Sequence, residues 1–248
     1  MNARGWALVT GAGRRIGAAL ALAAAGCGYD IIVHHRASAE EARETASRIE
    51  ALGRRAALAA ANLSDPEACR RLIDGAPGAP TLLVNSASVF EDDSGDAFDL
   101  VRYEAAMAVN LRAPLILSQT MASALPAEAR GLIVNICDQR VWRLTPKFFS
   151  YTLSKAALWT ATQTLAQALA PRIRVNAIGP GPTLPSPHQS AEAFAAQAAA
   201  TPLGRGPTPE EIAAALAYLI DAPSVTGQMI AVDGGQHLAW RTPDVAHD

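Results

Sequence analysis

The sequence predicts an α/β protein in which a parallel sheet is covered by helices on both faces. Short strand-like runs alternate with helical patterns along the whole chain, and most of these runs are apolar throughout. Continuous apolar strands joined by helices are typical of a parallel sheet buried on both faces. Because half of the 248 residues are hydrophobic and no linker or repeat interrupts the chain, we expect one domain over residues 1–248.

The amino-terminal half contains four predicted strands. The clearest are the first two and the fourth, which are apolar or β-branched, while the third is alanine-rich and weaker. A helix is expected to begin at Pro66, because Asp65 is a good cap and proline suits the first turn. In this half we predict strands at 6–10, 30–34, 56–60 and 81–84, with helices at about 15–25, at 39–52 and from residue 66.

The carboxyl-terminal half continues the same alternation. Strands are predicted at 131–136, 173–178 and 229–232, and helices at about 97–125, 151–170 and 209–221. A Gly-Pro-Gly-Pro segment at 179–182 is expected to end the sixth strand. Residues 183–205 are rich in Pro, Ser and Ala, and we interpret them as an irregular, mobile cap over a substrate.

Composition argues against several classes of function. A net charge of −2 without a basic run argues against nucleic-acid binding. The three cysteines form no CxxC pair and no ligand set with metal spacing, which predicts no metal site and a reducing compartment. The sequence has no targeting signal at its start and no apolar run long enough to span a bilayer, so a cytoplasmic protein without membrane contact is expected.

The first predicted strand leads into a glycine-containing loop, Thr10-Gly11-Ala12-Gly13-Arg14-Arg15-Ile16-Gly17. Gly11 and Gly17 suit a turn in which the backbone approaches a pyrophosphate, and the following helix provides unpaired N–H groups and a partial positive charge. An ordinary glycine-rich turn is the alternative for an isolated motif of this kind. The position directly after an amino-terminal strand favours dinucleotide binding.

The end of the second strand indicates which dinucleotide is bound. Enzymes that use NAD usually place an acid there to bind the ribose 2′-hydroxyl, whereas this chain has His34-His35-Arg36-Ala37-Ser38. Two arginines and a hydroxyl can hold a 2′-phosphate. We therefore predict NADP(H), with Arg14, Arg36 and Ser38 near that phosphate and His34 among the cofactor-binding residues.

Three candidate catalytic residues follow the fifth strand, and a fourth lies in the helix before it. Tyr151 and Lys155 are four residues apart on one helix face, so the ammonium can favour the phenolate and make the phenol useful in proton transfer. A half-buried tyrosine beside a solvent-facing lysine is the structural alternative. Asp138 ends the fifth strand, where it is either catalytic or a cap, and Asn110 lies inside a helix that disfavours it.

These motifs resemble the short-chain dehydrogenase/reductase family over about residues 5–235. The resemblance rests on TGAGRRIG, NSAS at 85–88, VNLRAP around Asn110, YTLSK at 151–155, RVNAIGPGP at 174–182 and VDGG at 232–235. It implies a Rossmann-type, doubly wound, seven-stranded parallel sheet and a homotetramer. Tyr151 would exchange the proton, Lys155 would hold the nicotinamide ribose and lower the tyrosine pKa, and Asn110 would position a water.

The same resemblance implies further cofactor contacts. Besides the loop glycines, Arg14, Arg15 and Lys155, they are Ile16, Asn62, Leu63, Asn85, Ser86, Ala87, Ser88, Pro180 and Gly181. Asn62 stands where an aspartate often binds adenine, and its amide oxygen can accept the same hydrogen bond. Ser86 replaces the second asparagine of the usual segment.

Three departures from the common family pattern resemble pteridine reductases. Arg15 replaces the usual middle glycine, Asp138 replaces the usual serine, and Ser88 is followed closely by Phe90. This implies that Phe90 stacks on a flat heterocycle, that Arg15 and Ser88 contact the heterocycle or the pyrophosphate, and that Asp138 and Tyr151 deliver the proton. A core phenylalanine is the alternative for Phe90.

Three functions fit this sequence, and each uses a small-molecule ligand. The first is NADPH-dependent reduction of a C=N bond in a dihydropterin or folate. The second is reduction of a carbonyl or oxidation of an alcohol by the same residues, which an ionised Asp138 would disfavour. The third is an NADP(H)-binding sensor without turnover. The resemblance to pteridine reductases implies that the tail at 236–248 can reach a neighbouring subunit's site.

Overall fold

The computed structural model describes residues 4–186 and 189–240. Two parts of the sequence-based predictions therefore lie partly outside the described residues: the cap at 187–188 and the tail at 241–248. Within the described ranges, no helix is both long enough and apolar enough to span a bilayer.

Seven strands form one sheet in the order β3-β2-β1-β4-β5-β6-β7, and every neighbouring pair is parallel. The strands are Trp6–Val9, Asp30–His35, Ala56–Ala60, Pro80–Asn85, Gly131–Ile136, Ile173–Pro180 and Met229–Val232, numbered β1 to β7. The predicted seven-stranded, Rossmann-type parallel sheet is confirmed.

Within the described residues, eight α-helices lie between the strands. They are Arg15–Gly26, Ala39–Ala51, Pro66–Asp74, Leu100–Met107, Ala113–Ala124, Phe149–Leu169, Ala191–Ala199 and Pro209–Asp221, numbered α1 to α8. A π-helical turn at Ala108–Arg112 joins α4 to α5, and 3₁₀ turns occur at Gln139–Val141 and Gln236–Leu238.

The sheet is buried because alternate residues of each strand face opposite helical layers. In β1, Ala7 and Val9 pack with α1, α2 and α8, whereas Trp6 and Leu8 pack with α3, α5 and α6. The strand order reverses at β1, whose neighbours are β2 and β4. Ligands of open α/β sheets bind beyond the carboxyl ends of the strands at such a reversal, so the fold places the candidate site there.

Three local predictions were wrong. The single helix at 97–125 is divided by the π-helical turn that contains Asn110. β6 continues through Gly179 to Pro180, because Pro180 lies beyond the last pair with β5, Ile136 with Ile178, and its missing N–H costs no bond there. The cap is not wholly irregular, since it contains α7.

Helix α7 has a recognisable start but no buried residue. The side chain of Ser190 accepts a hydrogen bond from the Ala193 N–H, which caps the first turn. Its alanine-rich sequence has no apolar stripe that would have marked it as helical. The helix therefore lies on the surface of the molecule.

Candidate active site

The loop after β1 is tightly packed against the end of β4. Gly11 has a left-handed φ of +67°, and a Cβ there would lie 3.0 Å from Ala87 Cα. A Cβ on Gly17 would lie 2.0 Å from the Gly11 carbonyl oxygen. Thr10 Oγ1 accepts hydrogen bonds from the backbone N–H groups of Ser86 and Ala87. The two glycines are therefore required by packing, and the loop is joined to the 86–87 segment.

The amino terminus of α1 has the properties of an anion site. Its cap residue Arg14 makes no side-chain capping bond, and no acidic residue lies in the first turn. The first N–H groups of this helix therefore remain available to an anion, and its dipole favours negative charge. This part of the chain fits the pyrophosphate of a dinucleotide.

The end of β2 lies beside this loop. A Cβ on Gly13 would come within 2.9 Å of Ser38 Oγ, so Ser38 adjoins the loop that carries Arg14. Arg14 and Arg36 are both exposed, and neither forms an ion pair within residues 4–186 and 189–240. Two exposed arginines beside a hydroxyl fit a phosphate monoester. We call Arg14, Arg36 and Ser38 the arginine corner.

His34 holds this loop through a hydrogen bond. Its Nδ1 accepts the Gly11 N–H at 3.0 Å, and its Nε2 lies 3.2 Å from the Ala61 carbonyl oxygen. Burial lowers the pKa of His34 to about 4, so the ring is neutral at pH 7 and donates to Ala61 through Nε2. Both ring nitrogens are used within the protein. The His34 side chain thus holds Gly11, and a contact between His34 and the cofactor remains a prediction.

Two other predicted cofactor residues also form hydrogen bonds within the protein. Asn62 Oδ1, expected to accept from adenine, accepts hydrogen bonds from the N–H and the hydroxyl of Ser64. Asn85 is 3% exposed and donates from Nδ2 to Asn135 Oδ1 inside the sheet. The Nδ2 group of Asn85 is therefore bonded within the sheet, whereas its buried Oδ1 has no partner among the described residues, and the cofactor contacts of Asn62 and Asn85 remain predictions.

The remaining predicted cofactor positions lie at the same edge of the sheet. Leu63 is buried in the core, so only its backbone can face a ligand. Gly181 follows β6, and a Cβ there would lie 2.6 Å from Asp233 Cα, which explains the glycine. Ile16 is partly buried against the core at the start of α1. Their contacts with a cofactor remain predictions.

Tyr151 and Asp138 form a direct pair. The Tyr151 hydroxyl donates to Asp138 Oδ2 at 2.8 Å, while Asp138 Oδ1 accepts the Arg140 N–H at 2.8 Å. Asp138 follows β5, and Tyr151 lies in the first turns of α6. The sequence left a capping role and a catalytic role open for Asp138. One carboxylate oxygen caps the 3₁₀ turn and the other accepts from the phenol.

The environment of the phenol keeps it protonated. Burial raises the pKa of Tyr151 well above its usual value, and the neighbouring Asp138 charge raises it further, against an opposing effect of Arg140. Tyr151 therefore keeps its proton at neutral pH. A carboxylate that accepts the phenolic hydrogen bond also fixes the direction of the hydroxyl.

Lys155 is completely enclosed. Its side chain is 2% exposed, and Nζ donates to the Ile136 carbonyl oxygen at 2.7 Å. Burial lowers the pKa of Lys155. The expectation of a solvent-facing lysine is excluded. Burial and Asp138 determine the direction of the Tyr151 pKa shift, so a lowering effect of Lys155 on that pKa remains a prediction.

Asn110 holds a loop of the site. Its Oδ1 accepts hydrogen bonds from the Val89 N–H and the Ser88 hydroxyl, and its Nδ2 donates to the Val89 carbonyl and to Ser154 Oγ. The side chain is thus fully occupied by protein atoms, and the water that Asn110 is expected to position remains a prediction. Asn110 lies in the π-helical turn that interrupts the predicted helix. Asn110 fixes the 88–89 segment, from which Phe90 extends.

Aromatic rings lie beside the Tyr151–Asp138 pair. Phe90 stacks on Phe148 with a centroid distance of 4.4 Å and meets Tyr151 edge-on at 4.7 Å. Sequence reasoning missed Phe148, which lies one turn before Tyr151, a spacing that could have suggested it. It also missed Asp93, whose carboxylate accepts from the N–H and hydroxyl of Ser150 and so anchors the start of α6.

Arg15 connects the phosphate loop to the cap. Its backbone has a left-handed φ of +56°, and its guanidinium donates to the carbonyl oxygens of Leu184 and Pro185. Arg15 thus lies between the loop after β1 and the cap. Ser88 is exposed near the same edge. Their contacts with a heterocycle remain predictions.

Together, a dinucleotide-type loop and a buried Tyr/Lys pair at the carboxyl edge of one parallel sheet define the class of nicotinamide-dependent oxidoreductases. A family model described as "Enoyl-(Acyl carrier protein) reductase" matches residues 11–237. The chain belongs to the short-chain dehydrogenase/reductase family, which confirms the resemblance recognised in the sequence.

Known relatives differ in their substrates. The structure of FolM alternative dihydrofolate reductase 1 from Brucella suis, in complex with NADP, is similar with 49% identity and a TM-score of 0.95, covering 99% of this chain and 100% of that chain. A blue fluorescent protein from a metagenomic library, in complex with NADPH, is 32% identical with a TM-score of 0.87, covering 94% and 98%. The 3beta-hydroxysteroid dehydrogenase 1 of Eggerthella lenta is 33% identical over 93% of each chain.

Proposed function

We propose that this oxidoreductase uses NADPH to reduce a C=N bond in a dihydropterin or a folate. The observation that carries the proposal is the Tyr151–Asp138 hydrogen bond of 2.8 Å beside the aromatic ring of Phe90. A flat heterocycle can stack on such a ring, and its ring nitrogen needs a proton when the adjacent carbon is reduced. The similarity to an alternative dihydrofolate reductase at 49% identity supports the same substrate class.

The residues present fit NADP(H). Gly11, Gly17 and the uncapped start of α1 suit the pyrophosphate, and the arginine corner suits the 2′-phosphate. When bound, NADPH supplies a hydride. The complexes of similar proteins with NADP and NADPH support this assignment. Lys155 would hold the nicotinamide ribose through its ammonium, since Nζ already lies at the end of β5.

The protein's own residues then handle orientation and the proton. Phe90 would bind one face of the heterocycle, with Arg15 and Ser88 at its edge. Tyr151 would donate its hydroxyl proton to the ring nitrogen, and Asp138 would hold the hydroxyl in the direction of transfer. The proton comes from a phenol that burial and Asp138 keep protonated at neutral pH.

Reduction of a carbonyl is the competing proposal, supported by the 33% identity with a hydroxysteroid dehydrogenase. Asp138 argues against it, because an ionised carboxylate beside the reacting oxygen would repel a developing alkoxide. The earlier alternative of a sensor without turnover has less support, since the tyrosine, lysine and aspartate are all assembled. A homotetramer and a cytoplasmic location remain predictions from the sequence.

The test is a comparison of substrates with the purified protein. NADPH consumption is followed in its absorbance band with dihydrobiopterin, dihydromonapterin, dihydrofolate, a panel of ketones, or no substrate. We expect substrate-dependent oxidation with the dihydropterins or dihydrofolate and little with ketones. Turnover of ketones alone would replace the pterin proposal with carbonyl reduction, and NADPH binding without any turnover would favour the sensor.

A further inference from the structure

Arg140 lies next to the Tyr151–Asp138 pair and belongs to none of the roles described so far. It follows β5 in the short 3₁₀ turn, and its Nη1 is 3.7 Å from Asp138 Oδ2. This is the same carboxylate oxygen that accepts the Tyr151 hydroxyl. The Arg140 side chain is only 17% exposed. A cation is thus held at the proton-donating pair.

Aromatic rings hold the other side of this guanidinium. Arg140 Cζ lies 5.0 Å from the Phe148 ring centroid and 5.6 Å from that of Phe90. These distances are in the range of cation–π contacts. The position of the charge is therefore fixed by the rings and by Asp138.

The contacts of Arg140 do not explain it as a residue that stabilises the fold. Its Nε is buried and has no hydrogen-bond partner within residues 4–186 and 189–240. A buried donor without a partner costs stability, and replacing a buried ion pair with an apolar group of similar volume is often neutral or favourable. A charge kept here at such a cost indicates a function for the charge.

The proposed proton transfer from Tyr151 would give the Arg140 charge a role. When Tyr151 gives up its proton, its oxygen becomes an anion 2.8 Å from the Asp138 carboxylate, and two like charges at this distance repel strongly in a buried site. Lys155 is one nearby cation, but its Nζ is already bound to the Ile136 carbonyl at 2.7 Å. Arg140 is the cation that directly faces the shared carboxylate oxygen.

We propose that Arg140 is a positioning residue that balances the charge of the Tyr151–Asp138 pair and so permits the phenol to release its proton. This inference rests on the proposed function. In the balanced reaction, the substrate carbon gains a hydride from NADPH, which becomes NADP⁺, and the substrate nitrogen gains the Tyr151 proton. The C=N bond becomes CH–NH, and water later returns a proton to the Tyr151 oxygen.

Other ionisable groups near the pair are already engaged or neutral. Cys137 is a neutral thiol, because burial raises its pKa to about 12. His237, in the 3₁₀ turn packed nearby, is paired with Asp233 at 2.7 Å. Asp93 accepts from Ser150, and Arg143 donates to the Gln236 carbonyl. These groups are unchanged in the Arg140 variants below, so a change in pH dependence there reports on Arg140.

The activity test compares Arg140→Met, which removes the charge, with Arg140→Lys, which keeps it. We expect kcat/KM for the dihydropterin to fall about 10- to 100-fold in Arg140→Met, the size expected for one charge a few ångströms away. Arg140→Lys should recover part of this loss, and NADPH affinity should not change in either variant. Arg143→Met is the matched control, because Arg143 is an exposed arginine in the same loop, and it should retain wild-type kcat/KM.

A second readout does not depend on turnover. Fluorine NMR of protein containing fluorotyrosine, with the Tyr151 signal assigned from Tyr151→Phe, follows ionisation of this phenol with pH. We expect the Tyr151 midpoint to move to higher pH in Arg140→Met and to return towards the wild-type value in Arg140→Lys. Should Arg140→Met fail to fold, Arg140→Gln replaces it.

The outcomes separate the two proposals. Absence of dihydropterin turnover in the wild-type protein would end the proposed function, while the NMR midpoints would still decide whether Arg140 sets the charge of the pair. An unchanged Tyr151 midpoint in Arg140→Met, or equal loss of activity in the Met and Lys variants, would overturn the inference and leave a packing role only.

Discussion

The two ends of the candidate active site are built in opposite ways. At the carboxyl end of β5, the catalytic groups are buried and already bonded, with Tyr151 on Asp138 and Lys155 on the Ile136 carbonyl. At the arginine corner, Arg14 and Arg36 are exposed and without ion-pair partners in the described ranges. The first end is organised by hydrogen bonds within the protein, whereas the arginine side chains at the second end are not fixed by such contacts among the described residues.

This difference follows from what each end must do. A proton donor is effective when its direction and electrostatic environment are set before the substrate arrives, because no reorganisation is then needed during the reaction. A phosphate site gains from charge and from several donors, and flexible arginine side chains can be ordered when the phosphate binds. Changes at the two ends should therefore affect different quantities: turnover at the first and cofactor affinity at the second.

The largest effect is expected for Tyr151→Phe. Loss of the hydroxyl removes the proton donor, so we expect kcat to fall about 10²- to 10⁴-fold while the Kd for NADPH stays unchanged. Steady-state kinetics and fluorescence titration of NADPH measure the two quantities. Tyr218→Phe, at an exposed position of α8, is the control and should be fully active. A comparable loss of NADPH affinity would show that the two ends are not separate.

A smaller effect is expected for Arg36→Ala. Removing one charged donor to the 2′-phosphate should raise the Kd for NADPH about 10- to 50-fold, because a hydrogen bond to a charged group contributes about 1.5–3 kcal/mol. Affinity for NADH, which lacks that phosphate, should change little, and salt should reduce the difference. Arg48→Ala removes an exposed arginine from α2 and is the matched control. Equal weakening of NADH and NADPH would contradict the assignment.

The smallest of the three effects is expected for Arg15→Gly, and it concerns stability and the exchange of backbone amides. Glycine relieves the left-handed φ of +56° but also loses the bonds to Leu184 and Pro185, so the free energy of unfolding should change by less than about 1 kcal/mol. Backbone amides of α7 should exchange faster with solvent, since the cap loses its hydrogen bonds to Arg15. Arg15→Lys keeps the charge and the strained backbone, and serves as the comparison. Unchanged exchange in α7 would show that Arg15 does not restrain the cap.

Sequence patterns were most informative where local chemistry is self-contained. The apolar strands and the Tyr151/Lys155 spacing predicted the sheet and the helix face, because both depend on the periodicity of neighbouring residues. The same reasoning did not reveal the protein partners of His34 and of the amide oxygen of Asn62. Their partners are Gly11, Ala61 and Ser64, and which partner a polar side chain takes depends on exact positions in the folded chain.

By itself, the sequence determined the order of strands and helices, the loop that suits a pyrophosphate and the absence of an acid after β2. These properties are local, since they follow from residue type and spacing. Only the tertiary structure decided the direct hydrogen bond between Tyr151 and Asp138, the enclosure of Lys155 and the position of Arg140 beside the Asp138 carboxylate. Those contacts join residues from β5, the following turn and α6, and packing of these elements against one another determines the distances on which their pKa values and charges depend.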